Sequence, residues 1–153
     1  MKFILIIILS LLISSCGFKR LNQSNTDLIY IKNINVIGGQ RIAYSLKNNF
    51  LIISKDNSKN KYDAEIIIKQ QKTNKTKDKA GKITRYNLSI SAKLVLTNLS
   101  NNKEVQKNFI RNQDYMVAKN HSNTISNEKN ARENITQRVS DDIIGFITLL
   151  MRE

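Results

Sequence analysis

Proline and tryptophan are absent from this chain of 153 residues, which holds one cysteine, one histidine and five glycines. Each scarcity removes a class of chemistry. With Cys16 alone, no disulfide can close within the chain and no zinc site can be built from cysteines. With His121 alone, in a polar Asn-His-Ser context, no histidine metal cluster can be assembled. Gly38-Gly39 lacks the partners that a P-loop or a dinucleotide fingerprint needs. Acids are also few, 12 against 25 basic residues, for a formal net charge of +13. The only close acids are Asp63 with Glu65 and Asp141 with Asp142. The first pair shares a strand face but stands near lysines. The second pair points about 100° apart on a helix, a poor arrangement for acid–base work. The expectation is a protein with no catalytic residue, no metal and no cofactor, and hence not an enzyme.

A long hydrophobic run is missing too. Residues 3–13 form an 11-residue apolar stretch after Met1-Lys2, broken only by Ser10. A spanning helix needs about 20 apolar residues. A stretch of this length behind a basic start has the form of a signal-peptide core. It ends in Leu12-Ile13-Ser14-Ser15-Cys16-Gly17. An apolar residue, small residues and a cysteine at this place resemble the lipobox of bacterial lipoproteins. The small residues let an extended backbone enter the peptidase, and the thiol accepts the diacylglyceryl group. Residues 1–15 are therefore read as a lipoprotein signal peptide, Cys16 as the lipidation site, and 16–27 as a polar lipidated tether. Multiple acyl chains, at about 0.8 kcal/mol per buried CH₂, hold a protein stably on its membrane. Gly17 stands where enteric lipoproteins retained at the inner membrane carry aspartate, so the expected location is the periplasmic face of the cell outer membrane.

Without the signal, 24 basic residues face 12 acidic ones. Such a balance favours polyanions, and outside the cytoplasm these are anionic lipid head groups or phosphorylated glycolipid, not nucleic acid. Part of the excess reflects coding bias, since 18 lysines, 20 asparagines and abundant isoleucine are what an AT-rich genome encodes.

Residues 28–153 read as one domain. Residues 28–37 are rich in β-branched residues in rough alternation, a strand. Ile42, Leu46 and Phe50 recur at spacing four after the Gly-Gly turn, a short helix over 40–51. Residues 62–70 read as a second strand. The segment 69–85 carries Lys69, Lys72, Lys75, Lys77, Lys79, Lys82 and Arg85 against Asp78 alone, with no apolar period. It reads as a polar, mobile hairpin connection. Tyr86, Leu88, Ile90, Ala92, Leu94 and Leu96 then alternate with polar residues, a half-buried strand. Val105, Phe109 and Tyr115 mark a fourth strand. Residues 116–125 read as a polar connection, with Ser126 as N-cap of a helix over 127–151. That helix's stripe is Ala131, Ile135, Val139, Ile143, Ile147 and Leu150. The order β-α-β-β-β-α predicts an α+β two-layer sandwich, a four-stranded mixed sheet with two helices on one face.

Several pieces in this order resemble the lipopolysaccharide-assembly lipoprotein (LptE) family, and its alphaproteobacterial branch most closely. They are Cys16-Gly17-Phe18 with Lys19, Arg20 and Leu21, then Arg41 with Leu46-Lys47-Asn48, then Asp63-Ala64-Glu65. Thr84-Arg85-Tyr86-Asn87-Leu88 and the 99–103 turn follow, and last comes Tyr115 ahead of Glu128 and Ala131-Arg132. The resemblance implies an outer-membrane subunit of the lipopolysaccharide translocon. It would help assemble and plug a β-barrel partner, the lipopolysaccharide-assembly protein LptD, and bind lipopolysaccharide. Lipid A phosphates need cations, so the candidate lipopolysaccharide-binding residues are Lys75, Lys77, Lys79, Lys82 and Arg85, with Arg111 as their neighbour on the adjacent strand. Two rival readings are a different outer-membrane lipoprotein serving as structural partner of another envelope complex, and a periplasmic enzyme, which would need a concave acidic or polar site.

Overall fold

The computed structural model describes residues 29–54, 56, 58 and 60–151. The signal peptide, Cys16 and the tether lie outside the described residues. Six elements follow one another: β1 (Tyr30–Ile37), α1 (Gln40–Ile53), β2 (Lys61–Lys77), β3 (Ile83–Asn98), β4 (Glu104–Met116) and α2 (His121–Leu150). The sheet order is β1-β2-β3-β4, with β1 parallel to β2 and both later pairings antiparallel. This is the expected mixed sheet in the expected β-α-β-β-β-α order. Among the described residues no helix is long and apolar enough to cross a membrane.

Alternation decides which face of the sheet receives the helices. Ala64, Ile66 and Ile68 of β2 and Leu88, Ile90, Ala92, Leu94 and Leu96 of β3 are buried on that face. In β1 the apolar residues packed on the core fall at 31, 34 and 36, which breaks a period of two. A register shift between Ile31 and Asn33 inserts one extra residue and returns Ile31 and Ile34 to the same side. Ile42, Leu46 and Phe50 of α1 are buried, as are Ala131, Ile135, Val139, Ile143 and Ile147 of α2. All belong to one continuous core. The helices are also joined by a polar contact, Asn49 Nδ2 donating to Ser140 Oγ at 2.8 Å.

Two expectations need correction. The segment 69–85 is not a loop: β2 continues to Lys77 and β3 begins at Ile83, so only residues 78–82 form the turn. The strands persist there because backbone pairing does not require an apolar face, while the sequence period vanishes because both faces meet water. The turn sets the register. Asp78 Oδ1 accepts the N–H groups of Ala80 and Lys82, both at 2.9 Å, and Gly81 takes a φ of +81° that other residues rarely adopt. The second correction concerns α2, which starts at His121 instead of residue 127. Asn120, not Ser126, is its N-cap, with its side chain accepting from the Ser122 N–H at 2.9 Å. The first two turns are polar and largely exposed, so no stripe announces them.

Candidate functional site

β1 pairs with β2 only as far as Ile67. Beyond that point β2 and β3 run on, and among the described residues the edge of β2 from residue 68 to 77 has no neighbouring strand. The hairpin ends in the cluster expected to meet phosphate. Among the described residues, Lys77, Lys79 and Lys82 make no ion pair, and all three are exposed. The acid of the turn, Asp78, accepts two backbone N–H groups on Oδ1. Three ammonium groups therefore stand at a turn with one carboxylate, and the excess of cations leaves a positive potential at the tip.

Lys75 and Arg85 stand lower on the hairpin, on the sheet face away from the helices. Lys75 Nζ lies 2.6 Å from Asp114 Oδ2, and Asn87 Nδ2 donates to Asp114 Oδ1 at 2.8 Å. Asp114 is held below the usual carboxylate range, first by the Asn87 hydrogen bond and then by Lys75, with Arg85 adding attraction. Lys75 is thus partly neutralised, and the free charge moves toward the tip. Arg111 does not join this group. Register places it opposite Ile90, on the helix-facing side, where its guanidinium pairs bidentately with Asp142 at 2.6 and 2.7 Å. Its expected role as neighbour of the loop lysines fails because strand pairing sends it to the other face.

Beneath the hairpin, on the helix side, lies a hub that the sequence did not disclose. Glu128 of α2 accepts three partners: Lys72 Nζ at 2.6 Å and the Tyr115 hydroxyl at 2.7 Å on Oε2, and Arg132 Nη2 at 2.7 Å on Oε1. Tyr86 and Tyr115 stack at 5.5 Å, and the Lys72 ammonium sits 4.3 Å above the Tyr86 ring. Glu128 is held below its ordinary value, first by the Lys72 hydrogen bond and then by that of Tyr115. Burial pulls the Lys72 pKa down, but the hydrogen bonds to Glu128 and Tyr115 outweigh it and the net shift is upward. Burial raises the Tyr115 pKa. The hub fastens the start of α2 to the extended hairpin. The one early signal was a pair of tyrosines on the apolar faces of two adjacent strands.

A groove of about 830 Å³ opens beside the hub, between Ile42 and Ser45 of α1 and Ile125, Arg132 and Thr136 of α2. Its charges pair among themselves, Arg132 with Glu128 and Lys129 with Glu133. His121 is exposed at the first position of α2. Asp63 and Glu65 accept from Asn33 at 2.9 Å and Asn35 at 3.5 Å. Among the described residues no group of three His, Cys, Asp or Glu is placed to hold a metal ion.

No protein-family model matches the chain. No curated protein is significantly similar to it. Solved structures do share its fold. A candidate lipoprotein from Caulobacter crescentus aligns over 78% of this chain and 90% of its own, with a TM-score of 0.53 and 13% identity. Rare lipoprotein B from Shewanella oneidensis aligns over 77% and 95%, with a TM-score of 0.54 and 7% identity. An uncharacterized lipoprotein B from Nitrosomonas europaea aligns over 85% and 90%, with a TM-score of 0.57 and 10% identity. The chain has the fold of these lipoproteins.

Proposed function

We propose that this chain is a lipid-anchored outer-membrane subunit of the lipopolysaccharide translocon, related to the LptE family. In this reading it helps its β-barrel partner assemble, occupies the barrel lumen and binds lipopolysaccharide phosphates at the β2–β3 hairpin tip. It acts by binding and scaffolding, not by catalysis. The observation that carries the reading is the hairpin tip, where exposed Lys77, Lys79 and Lys82 stand at a turn with one acid, Asp78. Two further points support it. The fold is shared with lipoproteins. Cys16 follows a lipobox-like segment and is the one cysteine of the chain. The test is purification of the tagged chain from its own outer membrane in mild detergent, with mass spectrometry of what accompanies it. Recovery of a large barrel protein in near-equal amount is the expected result. Recovery alone, or with a different envelope complex, overturns the translocon assignment.

A further inference from the structure

The two edges of the sheet are built differently. The free part of β2 bears Lys69, Lys72, Lys75 and Lys77, and its register shifts between Asn74 and Thr76 and again between Thr76 and Lys77. Lysines and irregularities of this kind discourage a further strand from pairing. The edge formed by β4 has neither protection in the same degree. β4 runs 13 residues, and its register with β3 is unbroken from Glu104 to Met116. It contains no proline and only two basic residues, Lys107 and Arg111. Arg111 is turned inward onto Asp142. At its centre, on the face away from the helices, Ile110 is 63% exposed. A long, regular edge with an exposed apolar residue at its midpoint is a template for strand addition.

We propose that β4 pairs antiparallel with β4 of a second copy of this chain, with Ile110 on the two-fold axis. The strand's own charge pattern selects this register. With Ile110 opposite Ile110, every residue from Glu104 to Met116 has a partner. Val105 then faces Tyr115, Gln106 faces Asp114, Asn108 faces Asn112 and Phe109 faces Arg111. No like charges meet. Centring the axis one residue earlier sets Glu104 against Asp114 and Lys107 against Arg111. Centring it one residue later sets Arg111 against itself. Like charges directly opposite destabilise a strand pair, whereas aromatic–β-branched and amide pairs favour it. A two-fold contact of this kind is self-complementary and closes, so the two sheets become one of eight strands and assembly stops there. The proposal uses no residue of the hairpin tip and concerns the chain free of a barrel partner, so it is tested on the purified chain alone.

Disulfide scanning on the full lipidated chain tests it. Opposed residues of an antiparallel pair lie about 4.5–5.5 Å apart at Cα, within disulfide range. Ile110→Cys is expected to form a covalent dimer on mild oxidation. Asn108→Cys is expected to link to Asn112→Cys in mixtures but not to itself, since like positions are then about 13 Å apart. The parent chain, with Cys16 acylated, serves as the control. Sedimentation in density-matched detergent supplies a second reading. Ile110→Lys, at an exposed position, should weaken the dimer about tenfold or more while leaving the circular dichroism spectrum unchanged. A chain that stays monomeric at its highest soluble concentration overturns the proposal. So does Asn108→Cys linking to itself as readily as Ile110→Cys, or a strand of a different protein occupying β4 while this chain remains single.

Discussion

Lys72 and Glu128, 56 residues apart in the chain, meet at 2.6 Å and tie the extended part of β2 to the start of α2. Glu128 also receives the Tyr115 hydroxyl and the Arg132 guanidinium, so its removal leaves three donors short of an acceptor. Glu128→Gln keeps the shape and removes the charge. Because Lys72 and Arg132 remain partly solvated, the expected cost is about 1–2 kcal/mol, below that of a fully buried charged hydrogen-bond group. Urea unfolding measures it, and an unchanged midpoint would show that the hub is ornamental to stability.

Acid should expose the same hub. Glu128 and Asp114 both lie below their ordinary values in the folded chain. A carboxylate with a depressed folded pKa contributes stability that is fully present above its unfolded value, about 4.3 for Glu and 3.9 for Asp, and is lost as pH falls through the folded value. Urea midpoints are therefore expected to hold steady near neutrality and to fall below roughly pH 4. The fall should be shallower in Glu128→Gln, which has no proton to take up at that position. Equal slopes in the two proteins would remove Glu128 from the account.

The sequence disclosed those parts of the fold where one side is buried. Ile42, Leu46 and Phe50, the α2 stripe from Ala131 to Ile147, and the alternation from Leu88 to Leu96 all carry the period of their element, because burial imposes it. The outer half of the β2–β3 hairpin lost its period because water lies on both faces, so 69–77 looked like a loop although its backbone is paired. The first turns of α2 were missed for the same reason. The candidate site was legible as a basic cluster but not as geometry. Which lysines are neutralised depends on Asp114 and Glu128, 39 and 56 residues from the lysines they engage. Arg111 was assigned to the cluster because sequence gives no strand register, and register turned it toward Asp142.

Two glycines with positive φ make contrasting demands. Gly38 has φ +88°, and a Cβ there would stand 2.4 Å from the Ile68 carbonyl oxygen, a backbone atom. Gly81 has φ +81° with open space around it. Gly81→Ala should cost only the conformational penalty, about 1–2 kcal/mol. Gly38→Ala must in addition push apart the β1–α1 junction and β2, so its cost should be larger by at least about 1 kcal/mol. Thermal or urea unfolding of the two variants decides the ranking, and equal losses would mean that the junction gives way freely.

The lipidation proposed for Cys16 is tested by removing the thiol that would carry it. Cys16→Ala is expected to abolish labelling by radioactive palmitate and to move the protein into the soluble fraction, at unchanged unfolding free energy. A variant that stays labelled and membrane-bound would refute the lipobox reading.

The hairpin tip gives the sharpest division between stability and binding. Lys77, Lys79 and Lys82 make no ion pair among the described residues and are exposed, so replacing all three with alanine should alter stability by no more than about 0.5 kcal/mol per site. Their contribution to phosphate attraction is another matter, since three cations stand against the single carboxylate of Asp78 at the tip. Binding of purified lipopolysaccharide to the triple variant is expected to weaken about tenfold or more, and the parent's affinity should fall steeply with salt, as long-range attraction between exposed charges does. Lys75→Ala should do less, because Asp114 already holds that ammonium at 2.6 Å. If the triple variant binds as tightly as the parent, the lysines at the tip reflect coding bias. If Lys75→Ala proves the more damaging, the phosphate site lies on the sheet face beside Asp114 instead of at the tip.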